Sequence, residues 1–173
     1  MDGPSSGSSA SMCPPRWAMC SRRSRAAPRR ASWCPLAVVA ALALVVARRW
    51  FEALLLGGSL LAAALLVYAL KVIVGRTRPD FWEPQCYWGS SFPSGHTLNV
   101  AAFSTAAALC VARIWPRHAT LAMSLAFLWT GAVAISRLVL GVHWSSEVLA
   151  AICLGAFIPL LARVVLELRR RPS

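Results

Sequence analysis

Three polar groups of residues interrupt a chain that is otherwise strongly apolar, and each contains residue types suited to binding a phosphate. The first is KVIVGRTRP, in which Lys71, the only lysine of the chain, precedes Arg78 and Pro79. An ammonium and a planar guanidinium about two helical turns apart can bind one phosphate group from two sides. The alternative interpretation is a basic helix end whose side chains reach towards the membrane surface.

The second group is SFPSGHTL, residues 91–98. Ser94 is a favourable helix N-cap, and the first turn of the following helix would present free N–H groups and the positive end of its dipole to an anion. Gly95 would let an oxygen-bearing ligand approach the backbone closely, and His96 could donate a proton to a leaving group. An ordinary capped helix with a histidine at the interface is the alternative.

The third group is SRLVLGVHWSSE, which contains Arg137, His143 and Glu147. The spacing of four predicts that His143 and Glu147 share one face of a helix, where the carboxylate would orient the ring as a base or nucleophile. Taken separately, Arg137 could be a snorkelling arginine and Glu147 an acid matched to the helix dipole. The remaining histidine, His118, lies in a basic turn and is predicted to take no part.

The elements that must position these groups are membrane spans. The chain has 173 residues, of which 58% are hydrophobic and only 14% charged, a balance typical of a membrane protein. Apolar stretches predict an all-α, polytopic transmembrane bundle of about five helices, near residues 35–47, 53–70, 97–115, 118–136 and 146–166. The first is shorter than the roughly 20 residues that cross a bilayer.

The distribution of charge predicts the orientation. If the spans alternate, the arginines of the short loops fall on one face, which is then cytoplasmic. The three polar groups fall on the opposite face, so the active site is predicted on the non-cytoplasmic side of a multi-pass cell-membrane protein. The net charge of +12 is concentrated at the chain ends and between spans, which favours anionic lipid headgroups over nucleic acid.

Residues 1–34 are rich in Gly, Pro, Ser and Arg and predict a disordered basic tail before a membrane domain over 35–173. Five crossing spans would put this tail on the non-cytoplasmic face, against the charge bias. The sequence therefore predicts either that the first stretch does not cross alone, or that the start is atypical and a span is missing. The six cysteines contain no C-x-x-C pair, so no zinc site is predicted.

The three groups in order, K-x6-R-P at 71–79, P-S-G-H at 93–96 and S-R-x5-H-x3-E at 136–147, resemble the three-part signature of the type 2 phosphatidic acid phosphatase superfamily. The resemblance extends from about residue 50 to the end of the chain. It implies an integral-membrane phosphatase that hydrolyses a phosphomonoester or diphosphate lipid, phosphatidate-like or polyprenyl, through a phosphohistidine. It implies no metal and no cofactor. In this family's pattern His143 is the nucleophile, Glu147 orients it and His96 protonates the departing oxygen, while the phosphate oxygens are bound by Lys71, Arg78, Ser94, Gly95 and Arg137.

Two features depart from that pattern. The family usually has aspartate at the position of Glu147, and its membrane members usually have six spans. These departures leave open a non-catalytic membrane protein that binds lipid phosphates. A vanadate-dependent peroxidase is disfavoured, since those relatives are typically water-soluble. The motifs do not choose between phosphatidate, phosphatidylglycerophosphate and undecaprenyl diphosphate, nor do they predict an oligomeric state.

Overall fold

The computed structural model describes residues 34–76 and 90–170, and this part of the chain is entirely helical. The predicted all-α bundle of about five helices is confirmed. The predicted tail lies outside the described residues except for Cys34, as does Arg78. The helices are α1 (Cys34–Val46), α2 (Trp50–Val74), α3 (Gly95–Ile114), α4 (Ala119–Val139) and α5 (Ser145–Arg170), with a 3-10 turn at Pro116–His118 between α3 and α4.

Four of these segments are long and apolar enough to cross a membrane: α2, α3, α5, and α4 together with the 3-10 turn before it. The first helix has 13 residues, which at about 1.5 Å per residue reaches well short of the hydrocarbon thickness. The prediction of one short and four full-length stretches is confirmed. Helices α2 and α5 extend beyond their predicted spans at both ends; α2, for example, begins at Trp50 rather than 53 and continues to Val74.

Helix α3 is the centre of the bundle. Within its span 56% of the residues are buried, against 11–22% in the other three long helices. It packs against α2, α4 and α5, whereas α4 and α5 contact each other much less, and α1 packs mainly on α2. Small side chains make this position possible because they allow neighbouring backbones to approach, and the buried alanines of α3 are Ala101, Ala102, Ala106 and Ala108.

Helices α3 and α5 are in close contact at Gly155. A Cβ on Gly155 would lie 2.5 Å from the carbonyl oxygen of Leu98 and 2.6 Å from Cβ of Ala101, so no side chain fits at this position. Nearby, Ala63 of α2 and Ala151 of α5 pack with Leu98 in one buried cluster. This contact holds the first turns of α3 and α5 beside the last turns of α2.

Because consecutive long helices run in opposite directions, α2 and α4 end where α3 and α5 begin. Lys71, the 90–96 segment, Arg137 and the 143–147 segment therefore lie at one end of the bundle. The other end is also charged. There the buried Glu52 pairs with Nε of Arg113 at 3.2 Å, and the guanidinium of Arg113 lies 4.2 Å from the ring centre of Phe51.

Candidate active site

His143 and Glu147 meet at the start of α5. The chain reverses after α4 through Gly141, whose φ of 63° is one that glycine adopts without strain. His143 precedes the first helical residue, Ser145, by two positions, and its Nδ1 lies 3.0 Å from Oε2 of Glu147. Both residues are buried, and Glu147 has no exposed surface.

The predicted contact between His143 and Glu147 is present, but the predicted reason for it, a shared helix face, is wrong. His143 and Glu147 do not share a helix face, because the helix begins only at Ser145. Instead, Glu147 is the third residue of α5, and its Oε2 accepts the N–H of Trp144 at 3.3 Å. This is the acidic half of a capping box, in which the side chain turns back over the helix start. Glu147 thus caps its helix and orients the imidazole with the same oxygen.

Two further residues contact the Glu147 carboxylate. The hydroxyl of Ser91 donates to Oε2 at 2.5 Å. Nε of Arg76 lies 3.3 Å from Oε1, an ion pair without the alignment of a hydrogen bond. An ionised carboxylate only accepts hydrogen bonds, so Nδ1 of His143 is the donor in its contact with Glu147. In the neutral imidazole, a proton on Nδ1 leaves the lone pair on Nε2.

Sequence reasoning assigned no role to Arg76 or Ser91. Both are next to motif residues, Arg76 two positions before Arg78 and Ser91 three before Ser94. Arg76 directly follows Gly75, which ends α2 in a left-handed conformation and turns the chain away from the helix axis. That helix-end glycine followed by an arginine is the signal that could have drawn attention to Arg76.

The segment before α3 is bound to the end of α2. Nζ of Lys71 donates to the carbonyl oxygen of Ser90 at 2.5 Å, and the N–H of Ser91 donates to the carbonyl oxygen of Arg76 at 2.8 Å. Lys71 is half-buried. Its ammonium therefore lies at the start of the turn that was predicted to bind phosphate.

At the start of α3 the predicted side-chain cap is wrong. Ser94 is the N-cap by its backbone, and its carbonyl oxygen accepts the N–H of Leu98 at 2.9 Å, but Oγ lies 3.0 Å from Oγ1 of Thr97 instead of binding a backbone N–H. A Cβ on Gly95 would lie 3.3 Å from Cγ1 of Val67. The absence of a side chain at Gly95 lets α2 approach α3. The sequence had predicted only that it would let a ligand approach the backbone.

His96 lies one residue into α3 with an exposed side chain. Lys71 and Arg137 are both near enough for their charges to act electrostatically on its ring. Arg137 is half-buried in the last turn of α4, and its Nε donates to Oγ of Ser136 at 3.3 Å. His118 lies at the opposite end of the bundle, where its Nε2 accepts from Nε of Arg117 at 2.9 Å.

The described side chains offer cations and imidazoles to a ligand rather than a set of metal ligands. Within residues 34–76 and 90–170, no three His, Cys, Asp or Glu side chains come together as a metal site. At this end of the bundle, Lys71 and Arg137 act electrostatically on the exposed imidazole of His96, and the imidazole of His143 contacts a buried carboxylate. This arrangement can bind an anion and bring a nitrogen nucleophile to it.

The fold and these side chains define a helical, multi-pass membrane protein with basic and imidazole side chains at one end of the bundle. Residues 52–171 match the model of the PAP2 superfamily, so the chain belongs to that superfamily, as the three motifs predicted.

Among curated proteins, the chain is 33% identical to the lipid A 1-phosphatase of Rhizobium johnstonii over 113 residues, which are 60% of this chain and 43% of that protein. It is 41% identical to phosphatidylglycerophosphatase B of Escherichia coli over 70 residues, 40% of this chain and 26% of that protein. The chain thus spans less than half the length of these two relatives.

A solved structure is similar over most of its length. The transmembrane PAP2 type phosphatidylglycerolphosphate phosphatase from Bacillus subtilis superposes with a TM-score of 0.73 at 30% identity. The superposition covers 83% of this chain and 74% of that chain. It supports the helical architecture described above.

Proposed function

We propose that this protein is an integral-membrane lipid phosphatase that hydrolyses a phosphomonoester or diphosphate lipid through a phosphohistidine. The observation that carries the proposal is the buried His143–Glu147 pair, with 3.0 Å between Nδ1 and Oε2, at the end of the bundle that also holds Lys71, His96 and Arg137. The names of the relatives, a lipid A 1-phosphatase and a phosphatidylglycerophosphatase, support a lipid phosphate as substrate.

In the proposed first step, the Nε2 lone pair of His143 attacks phosphorus, and an N–P bond forms as the P–O bond to the lipid breaks. The departing oxygen takes a proton from His96, whose side chain is exposed at the start of α3. Glu147 stabilises the positive charge that develops on the His143 ring. In the second step water attacks phosphorus and gives a proton to His96, the N–P bond breaks, and inorganic phosphate leaves.

Phosphoryl transfer depends mainly on positioning and on stabilising the charge of the equatorial oxygens. Lys71, Arg78 and Arg137 would supply that charge, together with Ser94 and the backbone N–H of Gly95 at the start of α3. Since these groups are part of the chain, we expect turnover to persist in the presence of EDTA.

The alternative function is lipid-phosphate binding without hydrolysis, which the sequence left open because Glu147 stands at the usual aspartate position. The contact between Glu147 and His143 favours hydrolysis, since the longer side chain still reaches the ring. The site would face the non-cytoplasmic side, because the arginines of the α1–α2 and α3–α4 turns and of the end of α5 lie at the other end.

The test is a substrate panel on detergent-solubilised protein in EDTA, using phosphatidate, phosphatidylglycerophosphate and a polyprenyl diphosphate. We expect phosphate release from at least one lipid, and a fall on the order of a thousandfold or more in His143→Ala. His118→Ala is the matched control, because this histidine lies at the opposite end and should leave turnover unchanged.

A phosphoenzyme labelled from substrate phosphate should be trapped by rapid denaturation, stable in base and labile in acid, and absent from His143→Ala. Turnover in His143→Ala equal to wild type would overturn the mechanism. Saturable lipid binding by wild type without release of phosphate from any lipid would instead support the alternative function.

A further inference from the structure

The Glu147 carboxylate is contacted by more donors than are needed to orient one imidazole. Its Oε2 accepts from Nδ1 of His143 at 3.0 Å, from Oγ of Ser91 at 2.5 Å and from the N–H of Trp144 at 3.3 Å. Its Oε1 pairs with Nε of Arg76 at 3.3 Å. His143 and Trp144 are sequence neighbours of Glu147, whereas Ser91 and Arg76 come from segments 56 and 71 residues earlier in the chain.

Arg76, which is partly exposed, makes three contacts with the start of α5. Besides its ion pair with Glu147, its Nη1 lies 3.4 Å from Oγ of Ser146, and its guanidinium carbon lies 5.7 Å from the ring centre of Trp144. Glu147 has no exposed surface, and a buried carboxylate is costly unless a counter-charge and hydrogen bonds compensate it. Arg76 supplies the counter-charge and Ser91 supplies a hydrogen bond.

Arg76 and Ser91 also contact each other through the backbone. The N–H of Ser91 donates to the carbonyl oxygen of Arg76 at 2.8 Å, and Oγ of Ser90 lies 3.4 Å from the same oxygen. The end of α2 and the segment entering α3 are therefore joined at the point where both contact the carboxylate. A change in either segment would be transmitted to Glu147.

These contacts explain how glutamate serves at this position. Its side chain is one methylene longer than that of aspartate, so the carboxylate extends to Ser91 and Arg76 while Oε2 remains in contact with Nδ1 of His143. A longer side chain also has one more rotatable bond, which must be fixed if the imidazole is to be held in one orientation.

We propose that Arg76 and Ser91 are positioning residues for the reaction. They hold the charged carboxylate of Glu147 in one orientation, so that it keeps the proton of His143 on Nδ1 and leaves Nε2 directed for attack. The inference rests on the proposed phosphatase function for its kinetic consequences, but the arrangement of the imidazole can be measured without turnover.

The kinetic test compares Ser91→Ala, Arg76→Gln and Arg76→Lys with wild type. A small misplacement of a reacting group costs up to about a hundredfold in rate, so we expect kcat to fall by about ten- to a hundredfold while KM changes by less than about threefold. Arg76→Lys should recover part of the loss, because it keeps the charge but lacks the planar fork.

Matched controls are available within the described chain. Arg163 also pairs through Nε with a glutamate of α5, at 2.8 Å from Oε1 of Glu167, but this pair is half-exposed and distant from the site. Ser104 is a buried serine bonded to Thr130 at 2.8 Å, away from the site. Arg163→Gln and Ser104→Ala should keep the wild-type kcat, and melting temperatures of all variants would show that each is folded.

The second readout is the ¹⁵N NMR spectrum of histidine-labelled protein in detergent. The chain has three histidines, so His143 is assigned from the signals lost in His143→Ala. We expect wild-type His143 to show the form protonated at Nδ1 and unprotonated at Nε2. In Ser91→Ala and Arg76→Gln these signals should move towards a mixture of the two tautomers, while those of His118 stay unchanged.

The outcomes are distinguishable. If wild type hydrolyses lipid but Ser91→Ala, Arg76→Gln and the two controls all keep its kcat and His143 spectrum, the positioning role is overturned and the proposed function stands. If wild type releases no phosphate from any lipid, the proposed function fails, and the His143 spectra alone decide on positioning. If Arg76→Gln does not fold, Ser91→Ala and Arg76→Lys carry the same comparison.

Discussion

Nδ1 of His143 lies 3.0 Å from Oε2 of Glu147 although His143 precedes the helix on which Glu147 lies. The two side chains meet because an acid in the first turn of α5 folds back over the helix start. Glu147, which would orient the nucleophile His143, thus also caps the start of its own helix α5. Changes at Glu147 should consequently affect both turnover and local stability.

The first prediction concerns the charge of Glu147. In Glu147→Gln the amide keeps the size of the side chain but loses the charge that faces His143 and Arg76, so kcat should fall by about 10²- to 10⁴-fold. Glu147→Asp should also lose activity, by about ten- to a hundredfold, because the shorter arm withdraws from Ser91 and Arg76. Phosphate release measures both. Glu167→Gln, at a half-exposed acid of the same helix, is the control, and equal kcat in all four proteins would contradict the orienting role.

The second prediction concerns the α3–α5 contact. Gly155→Ala places a Cβ within 2.5 Å of the Leu98 carbonyl oxygen, and the overpacking should destabilise the protein by about 1–3 kcal/mol. The melting temperature in detergent measures the effect. Gly57→Ala is the matched control, because nothing lies within 4 Å of its Cβ position, and alanine in a helix should be neutral or stabilising by about 0.5–1 kcal/mol. A Gly155→Ala protein as stable as Gly57→Ala would show that α5 is not packed as closely as described.

The third prediction concerns the buried hydrogen bond between α3 and α4. Oγ of Ser104 lies 2.8 Å from Oγ1 of Thr130, and Thr130→Val removes this bond with little change in volume. Interhelical hydrogen bonds in membranes are worth about 0.6–2 kcal/mol, so the melting temperature should fall. Ser59→Ala removes a buried hydroxyl that has no hydrogen-bond partner among the described residues, and it should be neutral or stabilising. A larger loss in Ser59→Ala than in Thr130→Val would contradict the assignment.

The fourth prediction concerns the end of the bundle opposite the site. Glu52→Gln removes the charge that pairs with Arg113 at 3.2 Å and Arg49 at 3.9 Å. Because Glu52 is buried, we expect a loss of about 1–3 kcal/mol in stability. Glu52 is about 28 Å from Lys71 along α2, so kcat of the folded protein should not change. A selective loss of kcat without a change in melting temperature would place Glu52 in the function rather than in the fold.

The sequence by itself determined the helical architecture. Runs of apolar residues are local features, and their lengths predicted one short and four spanning helices within a few residues of their observed bounds. Alternation of the spans then required Lys71, His96, Arg137 and His143 to lie at one end of the bundle. In antiparallel neighbours the end of one helix lies beside the start of the next. The order and spacing of the motifs were enough to predict the superfamily. The catalytic and phosphate-binding roles of all the site residues stay predictions, and so does the domain boundary at residue 35.

Only the tertiary structure decided which side chains meet. Ser91 and Glu147 are 56 residues apart in the chain. No local sequence pattern predicts that the segment before α3 contacts the start of α5. The same holds for Arg76 and for Gly155, whose importance depends on the approach of another helix. Ser94 shows that a local pattern can also mislead. Its residue type favours a side-chain cap, but its hydroxyl contacts Thr97 instead of a backbone N–H. Sequence periodicity fixes which face of a helix is apolar, but contacts between distant segments depend on how closely the helices pack, and small residues of α3 and α5 set that distance.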